Sequence, residues 1–211
     1  MKLPHLLLFG LILTTLTGCL LTFHPIYTET DILYEQSLVG NYRSTKEQQA
    51  PLLIIQQLAA TPAALPAKVK AISNKGYLLR YTNEQGNNIS EYAAFLVKLG
   101  GNTYIDLFPL RGRFGNNEFF EAFSIPMHAI YKLDRASAGM IHLLPMDQDF
   151  IQKLIDQRRL RIKYEQTGIG QQNIKIITAP TEQLQDFIKK YGDQKEAFEH
   201  KQIESYKKIL Q

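Results

Sequence analysis

Few side chains in this sequence have both the type and the placement that chemistry needs. His128 and His142 lie in neighbouring strand-like stretches and are the first candidates for a shared metal. Folding that hairpin about residues 135–138 sets His142 opposite Tyr131, offset from His128, and no cysteine or close acid completes a ligand set. Both are therefore expected to be strand histidines; His24 falls in an N-terminal tether and His200 in a polar helix. Asp147 and Asp149 lack the alternating acids and fixed glycine of a calcium loop and suit the start of a helix instead. Asp106, inside the apolar run Tyr104 to Phe108, is the odd acid. Buried in a strand it must bind a cation or hydrogen-bond a turn. No Gly-x-Ser-x-Gly elbow, no His-Glu-x-x-His and no glycine-rich loop before a helix occurs. A hydrolase would have to assemble its site from dispersed residues, with Asp106, His128 and Glu121 the candidates. No catalytic residue, metal or cofactor is expected.

Two further groups suit binding. Arg159, Arg161 and Lys163 alternate with Leu160, Ile162 and Tyr164, and Arg158 precedes them. A strand there buries one face and shows a cationic stripe on the other, either a solvated face or a contact for anionic lipid. Phe114, Phe119, Phe120 and Phe123 surround a polar loop. They either belong to a core or line an apolar ligand cavity at a barrel mouth.

The elements that position these residues are mostly short strands. Stretches 38–44, 52–58, 68–72, 77–82, 89–98, 103–108, 119–124, 127–133 and 140–144 have strand length or alternation. Glycine turns at Gly76, Gly86 and Gly100-Gly101 separate several of them. At Asp147 the period changes to a helix carrying Phe150, Ile151, Leu154 and Ile155. A second hairpin spans Leu160 to Thr178. Thr181 can cap a helix ended by Gly192, and Asp193 can start a last helix reaching Tyr206, Ile209 and Leu210. The pattern predicts an α+β fold: an antiparallel meander, curved or barrel-like, with C-terminal helices.

The first nineteen residues have a separate logic. Lys2 opens a positively charged start, and Leu6 to Leu16 is almost wholly apolar but shorter than the roughly 20 residues of a membrane span. Leu16-Thr17-Gly18-Cys19 follows, ending in the sole cysteine. This tetrapeptide resembles the lipobox of bacterial lipoproteins. The resemblance implies cleavage before Cys19 and a diacylglycerol on its sulfur, with 1–18 a signal peptide. Leu20 rather than an aspartate after the cysteine resembles outer-membrane sorting in diderm bacteria.

Removing the first 18 of 211 residues leaves 193, of ordinary globular composition with 45 % hydrophobic and 21 % charged residues overall. Residues 19–37 read as a tether and 38–211 as one domain without a thiol. The formal charge of +4 is too small to argue for a polyanionic partner, and export disfavours nucleic acid.

Two resemblances concern the body. Gly40-Asn41-Tyr42 entering a meander is similar to the lipocalin-type calycins, with tyrosine where they carry tryptophan. Glu91 to Gly101, Tyr104 to Pro109, Pro126 to His128, Asp147 to Leu154 and Thr178 to Phe198 resemble a family of bacterial lipoproteins without an established activity. The expectation is a lipid-anchored, non-catalytic envelope protein, attached to the outer membrane and facing the periplasm, with a lipid or envelope-protein partner. The alternatives are a lipocalin-like carrier of an apolar or lipid ligand, and an envelope hydrolase.

Overall fold

The structure is a computed structural model that describes residues 20–45, 52–61, 65–82, 88–111, 125–137, 139–167, 174–198 and 203–209. Eight strands form a closed antiparallel barrel: β3 (Gly40–Ser44), β4 (Leu52–Gln57), β5 (Tyr77–Thr82), β6 (Asn88–Leu99), β7 (Asn102–Arg111), β8 (His128–Ser137), β9 (Met140–Pro145) and β12 (Glu204–Ile209). Consecutive strands from β3 to β9 pair in order. The strand β12 lies between β9 and β3 and closes the ring. Closure removes the open sheet edges that a meander alone would leave.

Alternation along each strand then separates two cores. Tyr42, Leu53, Leu79, Leu96, Ile105, Leu107, Leu133, Ile141 and Tyr206 point inward and fill the barrel. An eight-stranded barrel is about the width that side chains alone can fill. The opposite face of β5 to β9, with Leu78, Phe95, Tyr104, Ile130 and Leu144, is also buried. It is covered by the helices Gln148–Asp156, Thr181–Tyr191 and Lys195–Phe198 and by the N-terminal segment. An outer face that is this apolar needs such a cover.

Residues 20–37 form that cover in part. The strand β1 (Leu20–Thr22) lies between β8 and a hairpin of β10 (Tyr164–Thr167) and β11 (Ile174–Ile177). The two-residue β2 (Ile32–Leu33) pairs with β6. The expected tether is thus partly extended but folded against the barrel, with Leu20, Thr22, Ile26 and Ile32 buried. One edge of β8 is divided. Ile130 faces Leu20 of β1, whereas the next residue, Tyr131, faces Pro145 of β9.

Several expectations change. Residues 68–71 belong to one helical turn, Ala67–Ala71, entered from Pro66, burying only Val69 and followed by Ile72 as its C-cap. Alternation over five residues cannot distinguish a strand from a turn with one inward side chain. The described part of the last helix is Lys195–Phe198, and Glu204–Ile209 is a strand rather than its continuation. Its helical propensity loses to the two open edges of β3 and β9, each of which accepts it as a partner. The fold is therefore a barrel with a few short helices, and helices do not end the described chain.

Thr181 is the first residue of its helix rather than the cap, a place taken by Pro180; its hydroxyl donates to the Pro25 carbonyl at 2.9 Å. Gly192 has ordinary helical dihedrals, so its smallness serves packing. A Cβ there would collide with the Tyr104 hydroxyl.

Candidate functional site

Asp106 and His128 come together on the outside of the barrel. In β7, Ile105 and Leu107 point into the lumen, so Asp106 between them points outward. It faces Ile130 of β8 in register, and His128 is the same-face neighbour two residues earlier. Asp106 Oδ1 and His128 Nδ1 are 2.6 Å apart, and the aspartate is 0 % exposed. Its other oxygen, Oδ2, accepts the Ile26 backbone N–H at 2.9 Å. The carboxylate therefore hydrogen-bonds the backbone of the N-terminal segment, the second of the two roles open to it from sequence.

That segment is held from the other side by the helix Thr181–Tyr191. Besides the Thr181 bond to Pro25, Gln185 Nε2 donates to the Ile26 carbonyl at 2.9 Å and to Asp31 Oδ2 at 2.8 Å. Asp31 also accepts the Thr28 hydroxyl at 2.7 Å. The bonds from Thr28 and Gln185 hold its carboxyl below the usual carboxylate range. Residues 22–33 are a strap clamped between barrel and helix.

Aromatic rings close the Asp106–His128 pair from water. Phe108 lies 5.1 Å from the His128 ring, Tyr27 meets it edge-on at 6.4 Å, and Tyr27 packs on Phe95 at 4.7 Å. Burial, with the negative charge of Asp106 added, pushes the Tyr27 hydroxyl well above its ordinary value. An aspartate–histidine pair is two-thirds of an acid–base relay. Among the described residues, however, no hydroxyl or thiol is hydrogen-bonded to His128. The geometry performs the attachment of a strap; Glu121, the third residue of the dispersed hydrolase set, lies outside the described residues.

His142 is elsewhere. The turn falls one to two residues later than expected, at Gly139 with φ +80°, and places His142 opposite Asp134 rather than Tyr131. Its Nδ1 is 2.7 Å from Ser205 Oγ. Among the described residues no group of three His, Cys, Asp or Glu side chains converges. Asp147 caps its helix by accepting the Asp149 N–H at 2.6 Å.

The cationic residues keep their alternation but not their strand. Leu160, Ile162 and Tyr164 are covered, and Arg159, Arg161 and Lys163 are exposed. Pairing begins only at Tyr164, because the N–H groups of Arg159 and Leu160 turn back to the Leu154 carbonyl to finish the preceding helix. Arg158 takes a left-handed conformation, φ 54°, at that helix end. The four phenylalanines Phe114, Phe119, Phe120 and Phe123 lie outside the described residues, as do Leu16-Thr17-Gly18-Cys19.

The barrel interior holds the other candidate. Tyr42 points into the lumen and donates to the Leu38 carbonyl at 2.9 Å. Leu38 enters the lumen from the short turn Gln36–Leu38. Next to it Tyr34 stacks on Tyr77 at 5.0 Å, and Arg135 pairs with Glu35 at 2.6 Å. The void left among Leu38, Leu53, Ile55, Tyr77 and Ile105 is about 10 Å³. That is room for one water molecule at most, against the roughly 300 Å³ that a small-molecule site needs.

Sequence reasoning missed the clamp residues Tyr27 and Gln185 and gave Thr181 the role of a helix cap instead. Only Asp106 carried a local signal, an acid in an apolar strand. Comparison with known protein families, curated proteins and solved structures finds no match.

Proposed function

We propose that this chain is a lipid-anchored protein of the bacterial cell envelope, with a non-catalytic structural or binding role, held at the membrane by acyl chains on Cys19. The observation that supports it most directly is the position of the folded body. Leu20, the residue after the lipobox cysteine, is fully buried in β1. The next place along that β8 edge, beside Tyr131, is taken by Pro145. Acyl chains on Cys19 would join the barrel with no flexible spacer between, and two or three chains make such attachment durable where one alone binds marginally. Among the described residues no helix is long and apolar enough to cross a membrane. The test is a Cys19→Ser variant expressed in a diderm bacterium. The reading expects loss of acyl labelling, an unprocessed precursor and loss of the mature membrane-bound form. A variant processed and retained like the wild type refutes it.

A second reading, a lipocalin-like carrier, is favoured by one observation: the closed eight-stranded barrel is the architecture that such carriers use. Its ligand would need space beyond the 10 Å³ void of the described lumen. Titration of the purified chain with a fluorescent fatty acid decides it: stoichiometric binding supports a carrier, and no saturable binding refutes one.

A further inference from the structure

Arg161 has a second set of neighbours that its sequence position does not suggest. With Gln183, Asp186, Phe187, Lys190 and Tyr191 it lines a surface cleft of about 200 Å³ beside the helix Thr181–Tyr191. Phe187 and Tyr191 are buried and form the floor, their rings 5.0 Å apart. Lys190 lies over the Tyr191 ring at 5.1 Å, which holds its ammonium at the cleft. Neither Arg161 nor Lys190 forms an ion pair among the described residues. The acid of the cleft, Asp186, is 82 % exposed and meets Lys189 at 4.0 Å, the outer limit of such a contact.

Two cations without an ion pair among the described residues and one loosely held carboxylate around a single concavity make a dipolar receptor. A guanidinium and an ammonium suit the oxygens of a phosphodiester, and a carboxylate suits an alkylammonium. The apolar floor suits the short carbon link between those two charges. We propose that this cleft binds a zwitterionic phosphate–ammonium headgroup, with the phosphodiester on Arg161 and Lys190 and the ammonium on Asp186. Phospholipids at an envelope membrane are one source of that chemistry and soluble headgroup esters are another. The site stands independently of whether Cys19 carries lipid.

The experiment uses the full chain, purified in a phosphate-free non-ionic detergent and followed by NMR chemical shifts. It is titrated in parallel with glycerophosphoethanolamine, inorganic phosphate and ethanolamine, and then with vesicles containing or lacking phosphatidylethanolamine. The proposal expects saturable shifts at Lys190 and Tyr191 with glycerophosphoethanolamine, and weaker ones with either half alone. Arg161→Gln and Lys190→Gln should each weaken binding about three- to fivefold, as befits solvent-exposed pairs. Asp186→Asn should abolish the preference for glycerophosphoethanolamine over inorganic phosphate. Arg158→Gln removes an exposed cation of the same segment that does not line the cleft, and should change nothing. Binding of phosphatidylethanolamine vesicles with the same mutational pattern assigns the site to lipid, and binding of the soluble ester alone assigns it to a free headgroup. No saturable binding, equal affinity for inorganic phosphate, or an Arg158→Gln loss matching that of Arg161→Gln overturns the proposal.

Discussion

Asp106→Ala tests the strap most directly. The substitution removes the acceptor of two buried donors, the Ile26 N–H at 2.9 Å and the His128 ring nitrogen at 2.6 Å. A buried donor left without a partner costs about 1–3 kcal/mol, so the pair sums to about 2–6 kcal/mol. Relaxation of the neighbouring side chains offsets part of this, which puts the expected loss near about 3 kcal/mol. For a domain of this size that lowers Tm by about 6–12 °C. Asp106→Asn retains one oxygen acceptor and should lose about half as much. Urea unfolding of Asp106→Ala, His128→Ala and the double variant should give a coupling energy of about 1–3 kcal/mol, since the two residues share one bond. Hydrogen exchange adds a local readout: the Ile26 amide should lose protection while the Leu79 amide in the barrel wall keeps it. An Asp106→Ala variant within about 0.5 kcal/mol of wild type, or an Ile26 amide still protected in it, would refute the strap assignment.

Other predictions concern the barrel and its packing. Burial pushes the hydroxyls of Tyr77 and Tyr104 up to about 12, and raises Tyr27 and Tyr206 as well. A raised folded value means that this stability is complete below the unfolded tyrosine value of about 10 and is lost as pH rises above it. Unfolding free energy should fall from about pH 10 upward, and the Tyr77 and Tyr104 phenolates, isolated as difference spectra against Tyr77→Phe and Tyr104→Phe, should appear only with loss of structure; either one forming in a still-folded protein would contradict it. Gly192→Ala should cost about 1–3 kcal/mol through its clash with the Tyr104 hydroxyl, and Tyr104→Phe in the same chain should restore part of that in thermal unfolding. Leu53→Ala, at a fully buried lumen position beside the small void, should cost about 2–5 kcal/mol and create a dry cavity. Benzene should then raise Tm of the variant and leave the wild type unchanged.

The antiparallel meander was legible in sequence for a specific reason. The strands β5, β6, β7 and β9 have alternating inward residues and glycine turns between several of them, and local pairing of neighbours needs nothing else. The helix Gln148–Asp156 was legible because Asp147 supplies its cap and Phe150, Ile151 and Leu154 share one face. The segment 204–209 was not legible, because its identity as a strand depends on edges of β3 and β9 far away in sequence. The same holds for Arg161, which local alternation placed on a stripe and the packing of a distant helix placed in a cleft.

By itself, the sequence determined the local pairings, the capped helix, the single cysteine in its lipobox-like setting and the oddity of an acid at position 106. These depend on residues close along the chain, where alternation, turn chemistry and capping act. Only the tertiary structure decided that the sheet closes, that its lumen is filled, and that Asp106 meets His128 and Ile26. Those outcomes rest on contacts between distant segments, such as the 80 residues separating Ile26 from Asp106. No local pattern encodes which buried donor will be brought to a buried carboxylate; that is settled when every face and edge of the chain finds its partner at once.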